Sequence, residues 1–407
     1  MLKPEVTNEK ICYCHQGVLE ENGRVDTARK ITDPSLLKVE PEDYINCAKP
    51  EIGDVEIWYY DIIDLENKYL IVAQFYIQTE ALKNELSLYG TVFTHTTEDG
   101  VYNKIKRYHL NKLIVSQNTF NVKIEKNHLY WKYHPELKIY TYHLEANIED
   151  ITLELEFFPQ IEGWKPLGDS VSFKDDNRTG SFSIISYIPK AKVNGTLAIK
   201  GKQYEIKNAL GYHDHTVWKS RQQSEEFKSR LFIDDTIAKW EFAKFVASEY
   251  VVIFNILYLR PWLNQPPVKT LLVAKNNKII HSSNNLIKTI HSHSEIDRNT
   301  MGKYPTQILV ELLQNDIRIN WDLKLKEIID KQDLLAGINT VLKSLIRFIF
   351  GKPASYYMLM DSKINISVQN EELEDIKGIA LYELLVLNNC PTRFEDYLRK
   401  LLHRKIK

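Results

Sequence analysis

The chain has 407 residues, 43% hydrophobic and 26% charged, with 53 Lys and Arg against 54 Asp and Glu. Those fractions belong to a folded globular protein rather than a disordered one, and the length exceeds one ordinary core, so two domains are expected. A formal charge of −1 supplies no field to recruit nucleic acid, and only four cysteines exclude a disulfide framework.

The N-terminal stretch, residues 1–48, reads as an extension ahead of the first domain. It is charged and broken by Pro4, so it is no secretory signal. Cys12, Cys14 and His15 invite a metal reading, but no second cysteine pair at finger spacing follows, and reduced thiols are expected. The longest apolar run, Val251 to Leu259, is far shorter than the ~20 residues needed to span a bilayer, so a soluble protein in the cytoplasm is expected.

Strand periodicity dominates the next three quarters. Phe120, Val122 and Ile124 alternate with polar residues, as do Leu129, Trp131 and Tyr133 after a turn at Glu125–His128. Leu153, Leu155 and Phe157 repeat the pattern opposite Glu154 and Glu156. One buried and one wet face means antiparallel sheet. Hairpin turns are marked by Asp175-Asp176-Asn177 with Gly180, by Lys200-Gly201-Lys202 and by Asn276-Asn277. No βαβ alternation is present, so the chain is mostly β, in antiparallel barrels or sandwiches, with one domain over residues 49–190 and a second over 191–390.

Helices are expected mainly after Glu327. Leu334, Leu335, Ile338, Val341, Leu342, Leu345 and Ile349 fall at helical spacing, which predicts a helical insertion over residues 327–350 closed by Gly351-Lys352-Pro353. The capping box Thr392-x-x-Glu395 opens a final helix over 391–407. Its basic end reads as solvated, with a weak membrane-surface contact as the other possibility.

Two segments carry the functional argument. One is Glu56-Ile57-Trp58-Tyr59-Tyr60-Asp61. The other runs from Gly195-Thr196-Leu197 through Gly201 to Gly211-Tyr212-His213-Asp214-His215-Thr216-Val217-Trp218. Together they resemble the carotenoid hydratase (hydroxyneurosporene synthase) family, which is similar to tocopherol cyclase and to lipocalin-like Diels–Alderases. Trp240-Glu241-Phe242 and the segment Gly378–Leu387 resemble later strands of the same pattern. The resemblance implies two lipocalin-like domains that enclose a hydrophobic small molecule between them, and a hydratase, cyclase or isomerase that needs no cofactor. Thr216-Val217-Trp218-Lys219 departs from the family's Asn-Trp-Gly by one inserted residue and a lost glycine.

Protonating an alkene requires a strong acid kept dry, with aromatic faces to steady the cation. Asp214, with Tyr212 and His213, supplies candidate catalytic groups, and Trp58, Tyr60, His215, Trp218 and Trp240 supply candidate substrate contacts. On a regular strand Tyr212 and Asp214 face one side while His213 and His215 face the other, so one pair looks into a pocket unless a bulge near Trp218 intervenes. Asp214 also reads as a buried hydrogen-bond hub. Two further readings stay open. The same cavity suits a non-catalytic binder of a lipid or apolar metabolite. His213-x-His215, repeated as His291-x-His293, suits a metal-dependent enzyme, although no acid completes a ligand set by spacing.

Overall fold

The computed structural model describes residues 50–387 apart from short stretches, the longest being 223–230 and 335–342. Cys12, Cys14, Cys47, Cys390, the turn 175–177, the segment 391–407 and most of 335–350 lie outside the described residues. No described helix is long and apolar enough to cross a membrane.

The fold is almost entirely antiparallel strand, in two compact units, one reaching to Arg221 and the other beginning at Gln222. The first unit holds β1 (Val55–Asp64), β2 (Tyr69–Glu80), β3 (Glu85–Thr96), β4 (Gly100–Tyr108), β5 (Leu113–Val115), β6 (Asn121–Ile124), β7 (Asn127–His134), β8 (Ile139–Ile148), β9 (Ile151–Pro159), β10 (Val171–Lys174), β11 (Arg178–Ile199) and β12 (Lys202–Gln222). Their order across the sheet is β4-β3-β2-β1-β12-β11-β9-β8-β7-β6-β5, with β10 added on β11. Alternation is what sends Leu153, Leu155 and Phe157 into the core and leaves Glu154 and Glu156 outside.

Tight turns set the registers. Lys200 and Gly201 both take positive φ, 50° and 83°, as a two-residue hairpin between β11 and β12 requires. The sheet curls on itself. Lys104 of β4 pairs with Glu149 at the β8–β9 turn, Lys106 with Glu125 at the β6–β7 turn, and Asn127 Nδ2–H donates to Tyr108 Oη at 3.0 Å. Inside the curl lies one continuous apolar cluster that includes Trp58, Tyr60, Phe120, Leu129, Tyr142, Phe157 and Tyr187. Each such fully buried side chain contributes roughly 1.5–3 kcal/mol.

The second unit holds β13 (Ile237–Val246), β14 (Tyr250–Leu259), β15 (Val268–Lys275), β16 (Lys278–Asn284), β17 (Lys288–Ile296), β18 (Lys303–Gln314), β19 (Ile317–Asp333), β20 (Ala354–Val368), β21 (Glu371–Glu372) and β22 (Ile376–Val386). Their order is β16-β15-β14-β13-β22-β20-β19-β18-β17, with β21 on β20. The fully buried Trp321 centres its core, with Phe254 and Phe245 packed edge-on at 5.6 and 6.1 Å.

Two expectations about organisation change. The division between units falls at Arg221, not at 190/191, because β11 runs unbroken for 22 residues across that point and stays in the first sheet. The helix expected from Glu327 does not begin there either. β19 continues to Asp333, paired with β20 through Asp333↔Ala354, and the described helical residues of that segment are Lys343, Ser344 and Arg347.

Candidate functional site

The two signature segments are neighbouring strands. β1 pairs with β12 in a register that runs without a break from Val55↔Trp218 to Ile63↔Leu210, including Tyr59↔Asp214 and Tyr60↔His213. No bulge interrupts this pairing between Leu210 and Trp218, and strict alternation assigns the candidates to two faces. Both faces are buried.

The glycines of the motif are structural. Gly195 has φ of 147°, and a Cβ there would meet the Glu154 carbonyl oxygen at 2.0 Å. Gly211 lets Phe157 and Val193 pack directly against the backbone. Lys219, which stands where the resembled pattern has a glycine, is 2% exposed and reaches Asp54 Oδ2 at 3.0 Å, while Asp54 Oδ1 accepts the Ser220 N–H. This buried pair ties the end of β12 to the start of β1.

The outer face carries Tyr59, Asp61, Tyr212, Asp214, Thr216 and Trp218. Trp218 packs on Phe173 at 5.7 Å and covers Gly180, where a Cβ would strike its ring. Asp214 is 6% exposed, and Thr216 Oγ1 donates to its Oδ1 at 3.4 Å. Burial pushes the Asp214 carboxyl up to about 7, and the charge of Asp61 adds to the rise against hydrogen bonds from Tyr212 and Thr216. Burial, then the Asp214 charge, pushes the Tyr212 phenol well up as well. Near neutral pH this face thus presents a half-protonated carboxylic acid beside a neutral phenol.

The inner face carries Glu56, Trp58, Tyr60, His213 and His215. His213 is fully buried, and burial lowers its imidazole to about 3, so it is neutral. Its Nδ1 lies 2.9 Å from the Tyr59 carbonyl oxygen, which can only accept. Nδ1 therefore holds the proton, and Nε2 is left as a lone pair. Neither His213 Nε2 nor the Tyr60 hydroxyl has a hydrogen-bond partner among the described residues. His215 Nε2 lies 2.9 Å from Glu56 Oε1 and its Nδ1 lies 3.3 Å from Tyr187 Oη, which makes a buried carboxylate–imidazole–phenol file. Trp58 stacks on His215 with planes within 5°.

The structure thus brings Asp214 together with Tyr212, places Trp218 further along the same face, and separates all three from His213, His215, Trp58 and Tyr60 by the thickness of one sheet. Trp58, Tyr60 and His215 do not line a common pocket with Asp214 on this strand pair. Trp240 belongs to β13 of the second unit, where its Nε1–H donates to Asn255 Oδ1 at 3.2 Å. Sequence reasoning missed Tyr187, and named Glu56 and Asp61 only as part of a motif. Asp61 stands opposite Tyr212 in register and Tyr187 lies on β11, so neither has a spacing signal.

The metal reading finds no ligand set. Among the described residues no group of three or more His, Cys, Asp or Glu is placed to hold a metal ion. A register shift at Ser292 puts His291 and His293 on opposite faces of β17. His291 turns in to Glu241 at 3.1 Å, and the exposed His293 meets Gln307.

The fold is similar to that of three solved structures. CghA with Sch210972 aligns with a TM-score of 0.56 at 11% identity, covering 84% of this chain and 90% of that one. Kievitone hydratase from Nectria haematococca aligns with a TM-score of 0.53 at 12% identity, covering 89% and 97%. A putative AttH from Nitrosomonas europaea aligns with a TM-score of 0.51 at 12% identity, covering 81% and 92%. At these identities the likeness is one of lipocalin-like β fold. No curated protein sequence matches. The profile of the Svf1 family, in contrast, matches residues 34–386, and the chain belongs to that family.

Proposed function

We propose that this protein binds an isoprenoid or other apolar polyene and protonates one of its double bonds from Asp214. The π electrons form the new C–H bond, the carboxyl becomes a carboxylate, and a carbocation remains. Addition of water, attack by a second double bond, or loss of a different proton then yields hydration, cyclisation or isomerisation. The proton released at the end returns to Asp214, so side chains suffice and no cofactor is consumed.

The observation that supports this reading is the buried Asp214 carboxyl whose pKa is pushed up to about 7 beside Tyr212 and Thr216. General acids work best when their pKa lies near the working pH, and a dry site strengthens the acid towards a weak carbon base. The rings of Tyr59, Tyr212 and Trp218 on the same face suit a developing cation. The fold shared with kievitone hydratase is compatible with such chemistry without specifying it.

The test is label incorporation. The full chain is incubated with geranylgeraniol and with lycopene in D2O, and products are read by mass spectrometry. The reading expects deuterium on carbon with wild-type protein and none with Asp214→Asn. Equal incorporation by both proteins, or none by either, contradicts it.

A further inference from the structure

The interior of the first unit holds polar groups that the Asp214 reaction does not use. His213 Nε2 is an acceptor and Tyr60 Oη a donor, both wholly buried and both without a partner among the described residues. An unmet buried polar group costs roughly 1–3 kcal/mol, so such pairs in native proteins are normally met by water or by a ligand. The two rings lie flat on each other, with centroids 4.0 Å apart and planes within 4°. A single hydroxyl, which donates and accepts, fits their complementary needs.

Around His213 the lining is aromatic. The rings of Tyr187, Phe120 and Tyr142 lie 5.4, 5.5 and 5.8 Å from the imidazole. The file continues outward. Tyr142 meets Trp131 at 6.3 Å, and Trp131 stacks on Tyr140 at 4.4 Å, which in turn touches Tyr133 at 5.2 Å. Tyr133 and Tyr140 are 48% and 46% exposed. They stand in register on β7 and β8 and share the inner face with Leu129 and Leu144. Rings therefore run without interruption from solvent to the unmatched pair.

From this arrangement we infer that the interior of the first unit is a second binding site. It takes a flat, largely apolar molecule bearing one hydroxyl, admitted past Tyr133, Tyr140 and Trp131 and held by His213 and Tyr60. Flat rings slide against the stacked lip, and the hydroxyl supplies the hydrogen bonds that the apolar lining lacks. The site lies on the opposite face of the β1–β12 pair from Asp214 and does not depend on the proposed reaction.

The probe is 2-naphthol, with 2-methoxynaphthalene as the analogue that cannot donate, each titrated into the full chain and followed by the probe's own fluorescence. Wild-type protein is expected to bind 2-naphthol saturably at one site and the methoxy analogue about tenfold more weakly. Tyr60→Phe and His213→Phe each weaken 2-naphthol severalfold and leave the methoxy analogue unchanged, while Tyr140→Ala alters the association rate. Asp214→Asn leaves 2-naphthol binding as it is, which separates this site from the proposed catalytic one. Should His213→Phe fail to fold, Tyr60→Phe decides, because the Tyr60 hydroxyl makes no hydrogen bond that folding would miss. Absence of saturable 2-naphthol binding, or binding equal in wild type and Tyr60→Phe, overturns the inference.

Discussion

Glu56 Oε1 and His215 Nε2 lie 2.9 Å apart, at 1% and 3% exposure, across the pairing of β1 with β12. With Glu56 as carboxylate, His215 donates from Nε2 and accepts the Tyr187 hydroxyl at Nδ1. Removing the acceptor leaves a buried imidazole N–H unmet, which costs roughly 1–3 kcal/mol. Glu56→Ala is therefore expected to lose about that much in a denaturant melt. Glu56→Gln keeps an acceptor oxygen and loses about 1–2 kcal/mol.

Two motif glycines separate strain from permissiveness. Gly195 combines a positive φ with backbone contact at its would-be Cβ, whereas Gly201 has a positive φ of 83° and open space. Gly195→Ala is expected to cost several kcal/mol or prevent folding, against about 1 kcal/mol for Gly201→Ala. Chemical denaturation of the two variants checks the order.

Lys219 and Asp54 make the same argument at the end of β12. Lys219→Met leaves a buried carboxylate with the Glu51 and Ser220 backbone N–H groups but without its cation, so a loss of roughly 3–5 kcal/mol is expected. The double variant Lys219→Met with Asp54→Asn should recover part of it, and a double-mutant cycle reads the coupling.

His213 gives a pH signature. Its folded pKa is depressed to about 3, below the ordinary imidazole value, so the folded state binds fewer protons than the unfolded one. The associated stability is present above about pH 6.5 and is lost as pH falls towards 3. Nitrogen-15 NMR of the imidazoles should find His213 as the Nδ1–H tautomer and unprotonated across that range. A protonation midpoint near 6.5 would remove the argument for a buried lone pair.

Asp214 has the opposite sign. Its folded pKa is raised, so the folded state holds a proton that the unfolded state has released, and the contribution to stability declines as pH climbs from about 4 to about 7. Asp214→Asn carries no charge to bury. The variant should therefore gain on wild type as pH rises through that window, by a few kcal/mol at most. A structural hub that needs its carboxylate would lose at every pH.

The sheets were legible because period two encodes a face directly. Leu153, Leu155 and Phe157 needed no more than their spacing, and the Lys200-Gly201 and Asn276-Asn277 turns needed only residues that tolerate positive φ. The misreading after Glu327 has a physical cause. β19 carries register shifts between Leu325 and Glu327 and again between Ile328 and Asp330, and each shift breaks the alternation. The candidate site was legible as a strand and illegible as a constellation. Its order along β12 separates Asp214 from His213, but Glu56 is 159 residues from His215 and Tyr187 is 28, and only the fold joins them.

The proposed chemistry needs Asp214 to hold its proton up to about pH 7. Infrared difference spectroscopy with isotope-labelled aspartate reads the protonated carboxyl directly, and Asp214→Asn identifies the band. The account predicts a protonated-carboxyl band that disappears with a midpoint near 7 and is missing from the variant. A midpoint near 4, the ordinary value for an exposed aspartate, would contradict it.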